Sequence, residues 1–138
     1  VLAAGLIKMT GWNADCDFID PFCGSGTFLI EAALMARNIY PGVFRKSFGF
    51  EKWKDFDAEL LQEIYDDDSQ EREFTHHIYG YDINVPTVEI ALKNVRSAGV
   101  QDIVSVQSVL IHSIYGCIKT VRWLQKQILS AVQVFKTL

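Results

Sequence analysis

With 138 residues, 49% of them apolar and 22% charged, the chain is expected to form one soluble globular domain or part of one, long enough to bury a core. No apolar run reaches the roughly 18 residues of a bilayer-spanning helix, so no helical membrane anchor is expected. Cys16, Cys23 and Cys117 lack C-x-x-C spacing, which excludes a disulfide framework or zinc ribbon and points to a reducing, cytoplasmic setting with no metal.

The net charge of −4 gives no nucleic-acid footprint by itself. Its distribution says more. All 17 acidic residues lie at or before Asp102, and positions 103–138 carry only Lys119, Arg122, Lys126 and Lys136 as charges. The first residue is Val1 rather than Met, and no basic leader precedes the first apolar segment. These features predict a piece of a longer chain without a secretory signal.

Residues 1–9 carry Val1, Leu2, Leu6 and Met9 at helical spacing and stop at Gly11, predicting a short helix. The segment CDFID, 16–20, is a short apolar run before a turn signal and predicts a buried strand. From Thr27 to Asn38, Phe28, Leu29, Ala32, Ala33, Met35 and Ala36 trace a broad helical face, and Pro41-Gly42 punctuates the chain. Residues 43–75 form an aromatic and charged insertion, within which Phe56, Leu60, Leu61, Ile64 and Tyr65 fit one helix. Its DDDSQERE run reads as a solvated helix end or loop.

HHIYGYDI, 76–83, returns to strand character, with His76 and His77 read as structural. PTVEIALKNVRSAGV then predicts a helix with Pro86 in its first turn and Gly99 as its C-terminal cap. DIVSVQ, 102–107, alternates as a third strand. Beyond it, Ile118, Val121, Leu124, Ile128, Val132 and Phe135 fall on one helical face opposite Lys119, Arg122, Lys126, Gln133 and Lys136. That basic amphipathic tail, 108–138, reads as a packing helix, an RNA-contacting helix or a non-native end. Strands alternating with helices predict an α/β fold with a doubly wound, mainly parallel, Rossmann-like sheet, incomplete in its C-terminal half.

Gly24 and Gly26 stand between the first strand and its helix, at the carboxyl edge where open parallel sheets bind ligands. A P-loop requires a lysine after the second glycine, and none is present. A dinucleotide turn wants a third glycine where Leu29 stands. An S-adenosylmethionine (SAM) site needs a tight glycine turn and a nearby carboxylate, which Asp20 supplies. Asp82, at the end of the second strand, offers a carboxylate to a ribose, and Ile83 a cover for an adenine face. Asp82 lies 56 positions after Gly26 rather than the usual roughly 20, an excess that the 43–75 insertion accounts for. Three plainer readings stand beside these: simple turn chemistry for the glycines, helix capping for Asp20, and capping ahead of Pro86 for Asp82.

The stretch DPFCGSGTFLIEAA resembles the cofactor motif of class I SAM-dependent methyltransferases of the RNA methylase group, which includes bacterial large-subunit (23S) rRNA guanine-N2 methyltransferases. LAAGLIKMTGW, NIYPGVFRKSFGFEKWKDFD and GYDINVPTVEIALKNVRSAGV extend the resemblance over roughly residues 1–107. It implies that this span is the SAM-binding half of a methyltransferase domain. Asp20, Phe22, Cys23, Gly24, Ser25, Gly26 and Thr27 would line the cofactor, with Asp82 and Ile83 holding ribose and adenine. The implied reaction is methyl transfer to an exocyclic amine of a nucleobase, guanine in rRNA, with RNA as partner. DNA adenine-N6 methylation is the alternative substrate, and a non-catalytic remnant the alternative class. An NAD-type oxidoreductase is disfavoured by Leu29 and by the lack of any hydride-site candidate.

Two elements of that group are missing. Gln107-Ser108 stands where an acidic or amide residue would meet the adenine amine, and no Pro follows Pro86, so no Asn-Pro-Pro-Tyr-like acceptor motif is present. No catalytic residue is assigned. The chain by itself is expected to bind SAM weakly and to be inactive or nearly so.

Overall fold

The computed structural model describes residues 2–40 and 42–109. The sequence expectations for 110–138, including the amphipathic tail, lie outside the described residues. The elements follow in the order α1 (Leu2–Met9), β1 (Phe18–Asp20), α2 (Thr27–Arg37), a 3-10 turn (Gly49–Lys52), α3 (Ala58–Asp66), β2 (Ile78–Asp82), α4 (Val85–Ser97) and β3 (Val104–Ser108). Every element expected up to residue 108 is present, with ends shifted by one to two residues. The first strand is three residues long.

The three strands form one sheet in the order β1-β2-β3, parallel throughout. Phe18, Ile78 and Val104 stand abreast at one end; Asp20, Gly80 and Val106 stand abreast two residues on. Strand residues alternate between faces, and the face carrying Ile78, Gly80, Val104 and Val106 is the buried one. Helices α2 and α4 pack on it and touch each other.

Helix α2 can lie close because the side chains it buries include Ala32, Ala33 and Ala36. Leu29 is its fully buried anchor, and it presses on the middle of β2. A Cβ on Gly80 would stand 2.3 Å from Leu29 Cδ1 and 3.2 Å from Cys23 Sγ. A side chain there would force the buried Leu29 side chain to repack, so glycine suits the position.

Helix ends are set by local chemistry. Asn84 caps α4 through Oδ1, which accepts from Thr87 N–H at 3.1 Å, and Pro86 sits in the first turn. Gly99 follows the helix with φ +68°, the left-handed conformation that closes a helix end. Beneath α1, buried Trp12 meets Phe18 edge-on at 5.1 Å and Phe74 at 6.0 Å, and its Nε1–H donates to Cys16 O at 3.0 Å.

The insertion is attached differently. Helix α3 starts at an Asp57 cap, where Oδ1 accepts from Leu60 N–H at 3.0 Å, yet it buries no residue. The chain then returns along the C-terminal end of α2. Arg72 Nε donates to Ala36 O at 2.7 Å, Arg72 Nη2 to Met35 O at 3.2 Å, and Asn38 Nδ2 to Gln70 O at 2.9 Å. Up to Arg72 the insertion is thus held by hydrogen bonds to the end of α2, and only Phe74, near its close, is buried in the core.

Candidate functional site

The turn after β1 runs from Pro21 to Gly26 and lies against the end of β2. Cys23 N–H donates to Tyr81 O at 2.8 Å, which carries the turn alongside β2 beyond Asp20. Gly24 (φ +53°) and Gly26 (φ +86°) both take left-handed conformations. A Cβ on Gly24 would meet nothing within 4 Å, whereas one on Gly26 would touch Ala91 Cβ at 3.4 Å. The first glycine therefore serves backbone geometry. The second does too, with α4 at ordinary contact distance behind it.

Gly26 is the residue before α2 and supplies no side-chain cap. The first-turn amides of α2 and the positive end of its dipole face the turn unscreened by a capping side chain.

Two carboxylates meet this turn from neighbouring strands. Asp82 Oδ2 accepts from Gly24 N–H at 3.2 Å, and its Oδ1 accepts from Asn84 N–H at 2.9 Å. Asp82 is therefore not the cap of α4, a role that Asn84 fills; it bridges the glycine turn to β2. Asp20 Oδ1 accepts from Phe22 N–H at 3.0 Å, closing a turn two residues long rather than capping a helix. Burial raises the Asp20 carboxyl above its usual range. The Phe22 N–H offsets part of that rise, and the negative charge of Asp82 adds to it.

Cys23 is buried between them. Desolvation first, then the charges of Asp20 and Asp82, push its thiol up to about 11, which disfavours the thiolate. Ser25 and Thr27 are exposed on the outer rim, with their hydroxyls 3.4 Å apart. Phe22 and Ile83 flank the turn with 71% and 67% of their surface exposed. The arrangement offers hydrogen-bond acceptors for hydroxyl and ammonium groups, negative charge for a cation, and two apolar side chains for a flat ring. Among the described residues no group of three metal-ligating side chains occurs, and no helix is long and apolar enough to cross a membrane.

A family model described as UPF0020: RMKL-like, methyltransferase domain, matches residues 1–120. The chain belongs to this methyltransferase domain family. Among its relatives, the ribosomal RNA large subunit methyltransferase K/L of Psychromonas ingrahamii is 45% identical over 109 residues, which cover 75% of this chain and 14% of the relative. Of the solved structures, SMU.472 with SAH bound has a TM-score of 0.71 at 39% identity, over 78% of this chain and 29% of that one. The crystal structure of a predicted N6-adenine-specific DNA methylase from Listeria monocytogenes has a TM-score of 0.71 at 34% identity, over 80% and 29% of the two chains. The chain thus spans about a seventh of its curated relative and under a third of its solved neighbours. The parallel sheet and these neighbours together give the methyltransferase domain its Rossmann-like class.

Within this domain, sequence reasoning missed the residues that hold the turn from behind. Asn94, on the inward face of α4, donates from Nδ2 to Ser25 O at 2.9 Å across 69 residues. Ala91, one turn earlier, is fully buried and is the small residue that lets α4 reach Gly26. The signal was faint but present: a polar Asn three positions beyond Ala91 on a helix whose buried residues are Val88, Ala91 and Val95.

Proposed function

We propose that residues 1–107 are the donor-holding half of a SAM-dependent methyltransferase domain, with 43–75 an insertion. The whole protein would methylate an exocyclic nucleobase amine in RNA, guanine N2 of 23S rRNA first among them. The observation that carries this reading is the bond from Gly24 N–H to the Asp82 carboxylate, which brings an acidic strand end onto a left-handed glycine turn. A carboxylate so placed accepts both hydroxyls of a ribose, and no lysine or third glycine is present for a phosphate.

Asp20 and the Cys23–Thr27 turn would hold the methionine portion, with the Asp20 charge set against the sulfonium or ammonium. Phe22 and Ile83 would supply apolar cover for the base. Bound SAM supplies a methyl group already activated on sulfur, so the contribution of these residues is position and charge. No residue of the chain matches an acceptor-facing motif, so none is assigned to the transfer. An rRNA substrate goes with a cytoplasmic setting.

Titration calorimetry tests the donor site. Binding of SAM is expected, and Asp82→Ala is expected to abolish it while the protein stays folded. A folded chain that shows no heat at millimolar SAM would overturn the reading. DNA adenine N6 is a second substrate reading, favoured by the name of the Listeria neighbour. Tritiated SAM offered to the whole protein with 23S rRNA and with DNA separates the two by which polymer becomes labelled.

A further inference from the structure

At the opposite end of α2 from the glycine turn lies a groove of about 850 Å³ between α1, the C-terminal half of α2 and the start of the insertion. Its lining includes Lys8, Arg45 and Arg72 against a single carboxylate, Glu31. That balance runs against the rest of the chain, whose first 102 positions hold 17 acidic residues and 9 basic ones. Arg72 is occupied with the last carbonyls of α2. Lys8 and Arg45 take part in neither ion pair of the described residues, which join Arg37 to Asp102 and Asp17 to His76.

Arg45 is also preorganised. Its guanidinium lies 5.4 Å above the Phe48 ring, and the Arg45 backbone N–H donates to Gly42 O at 2.8 Å. Gly42 has φ +86°, and a Cβ there would stand 2.9 Å from Phe48 Cζ, so glycine lets the ring fold over the turn. Phe48 in turn stacks on Phe50 at 5.0 Å and 15°. Beyond this stack, Trp53 is 69% exposed.

Cations beside stacked and exposed aromatic rings are what a single-stranded nucleic acid needs, since phosphates take the charges and unpaired bases take the ring faces. We propose that this groove and the aromatic ladder leading from it bind a short single-stranded stretch of the RNA substrate, with Lys8 and Arg45 on phosphates and the exposed Trp53 under a base. The inference rests on the RNA reading above, and it gives the insertion a purpose: it adds substrate-holding surface to a domain whose sheet edge holds the donor.

The 138-residue chain is titrated into a fluorescein-labelled, unstructured RNA of about twelve nucleotides and followed by anisotropy. Lys8→Glu with Arg45→Glu is expected to weaken binding at least about tenfold at about 0.1 M salt and to lower the salt slope by about two. Trp53→Ala is expected to weaken it about tenfold through lost stacking. Lys93→Glu, an exposed cation on α4 outside the groove, is expected to stay within about twofold. SAM binding by calorimetry should be unchanged in all of them, which shows that they fold. Arg45→Gln, expected to weaken binding about threefold, serves if the double reversal does not fold.

RNA affinity indifferent to Lys8, Arg45 and Trp53, or matched by a duplex of the same length, overturns the groove. If SAM still binds in that case, the methyltransferase reading survives; if the unsubstituted chain binds no SAM, that reading falls as well.

Discussion

The sheet with α2 and α4, and the insertion between α2 and β2, are both rich in apolar residues at regular spacing, but they use them differently. In the first, the spacing is converted into burial: Leu29, Ile78, Ala91 and Val95 are each at most 1% exposed. In the second, α3 has an apolar stripe and a sound N-cap, yet Leu60 and Ile64 remain 53% and 44% exposed. Periodicity therefore reports that a helix forms and not what it meets. A helix whose stripe is half solvated contributes little to stability, and its surface remains available to something else.

The largest effect is expected at the point where the packed unit is tightest. Gly80→Ala forces a methyl group into Leu29 and should destabilise the fold by about 1–3 kcal/mol, read as a lower midpoint in urea unfolding. An unchanged midpoint would mean that α2 does not press on β2 as described.

Next comes the support behind the turn. Asn94→Ala removes the bond to Ser25 O and should lower stability by about 1 kcal/mol. SAM affinity should fall several-fold, by calorimetry, with the unfolding transition still cooperative. Loss of stability with no change in affinity would make Asn94 a purely structural residue.

A third effect is electrostatic. The Asp20 carboxyl is raised in the fold above its unfolded value of 3.8, so its contribution to stability is fully present below that pH and is lost as pH rises through the raised value. Asp20→Asn should therefore leave acid stability nearly unchanged and raise stability at about pH 7. SAM, a cation, should show the opposite trend: affinity for the parent chain rises with pH as Asp20 ionises, and the Asn variant loses that dependence. Parallel pH profiles for parent and variant would remove Asp20 from the donor site.

The smallest effect belongs to the insertion. Leu60→Ser with Ile64→Ser should shift stability by no more than about 0.5 kcal/mol per site. A larger loss would show that α3 is covered in the folded protein.

The order of elements was legible because strand and helix periods are local properties of the chain, carried by a few residues such as Phe18 and Ile19 or Val88, Ala91 and Val95. The turn was legible for the same reason: Gly24 and Gly26 stand two apart and both need positive φ. Asp82 was legible as an acidic strand end, although its partner was not, because Gly24 lies 58 positions away. Gly80 looked like any strand glycine until Leu29 was seen against it. Asn94 looked like a surface polar residue until Ser25 O was seen before it.

The sequence by itself determined the alternation of strands and helices, the left-handed turn and the two acidic strand ends, since each depends on backbone preference over a few neighbouring residues. Only the tertiary structure decided that β1, β2 and β3 lie abreast, that Asp82 closes on Gly24, and that Lys8 and Arg45 share one groove. Those facts depend on contacts between residues tens of positions apart, which are fixed when α2 and α4 bury their small-residue faces on the sheet, and no local pattern encodes them.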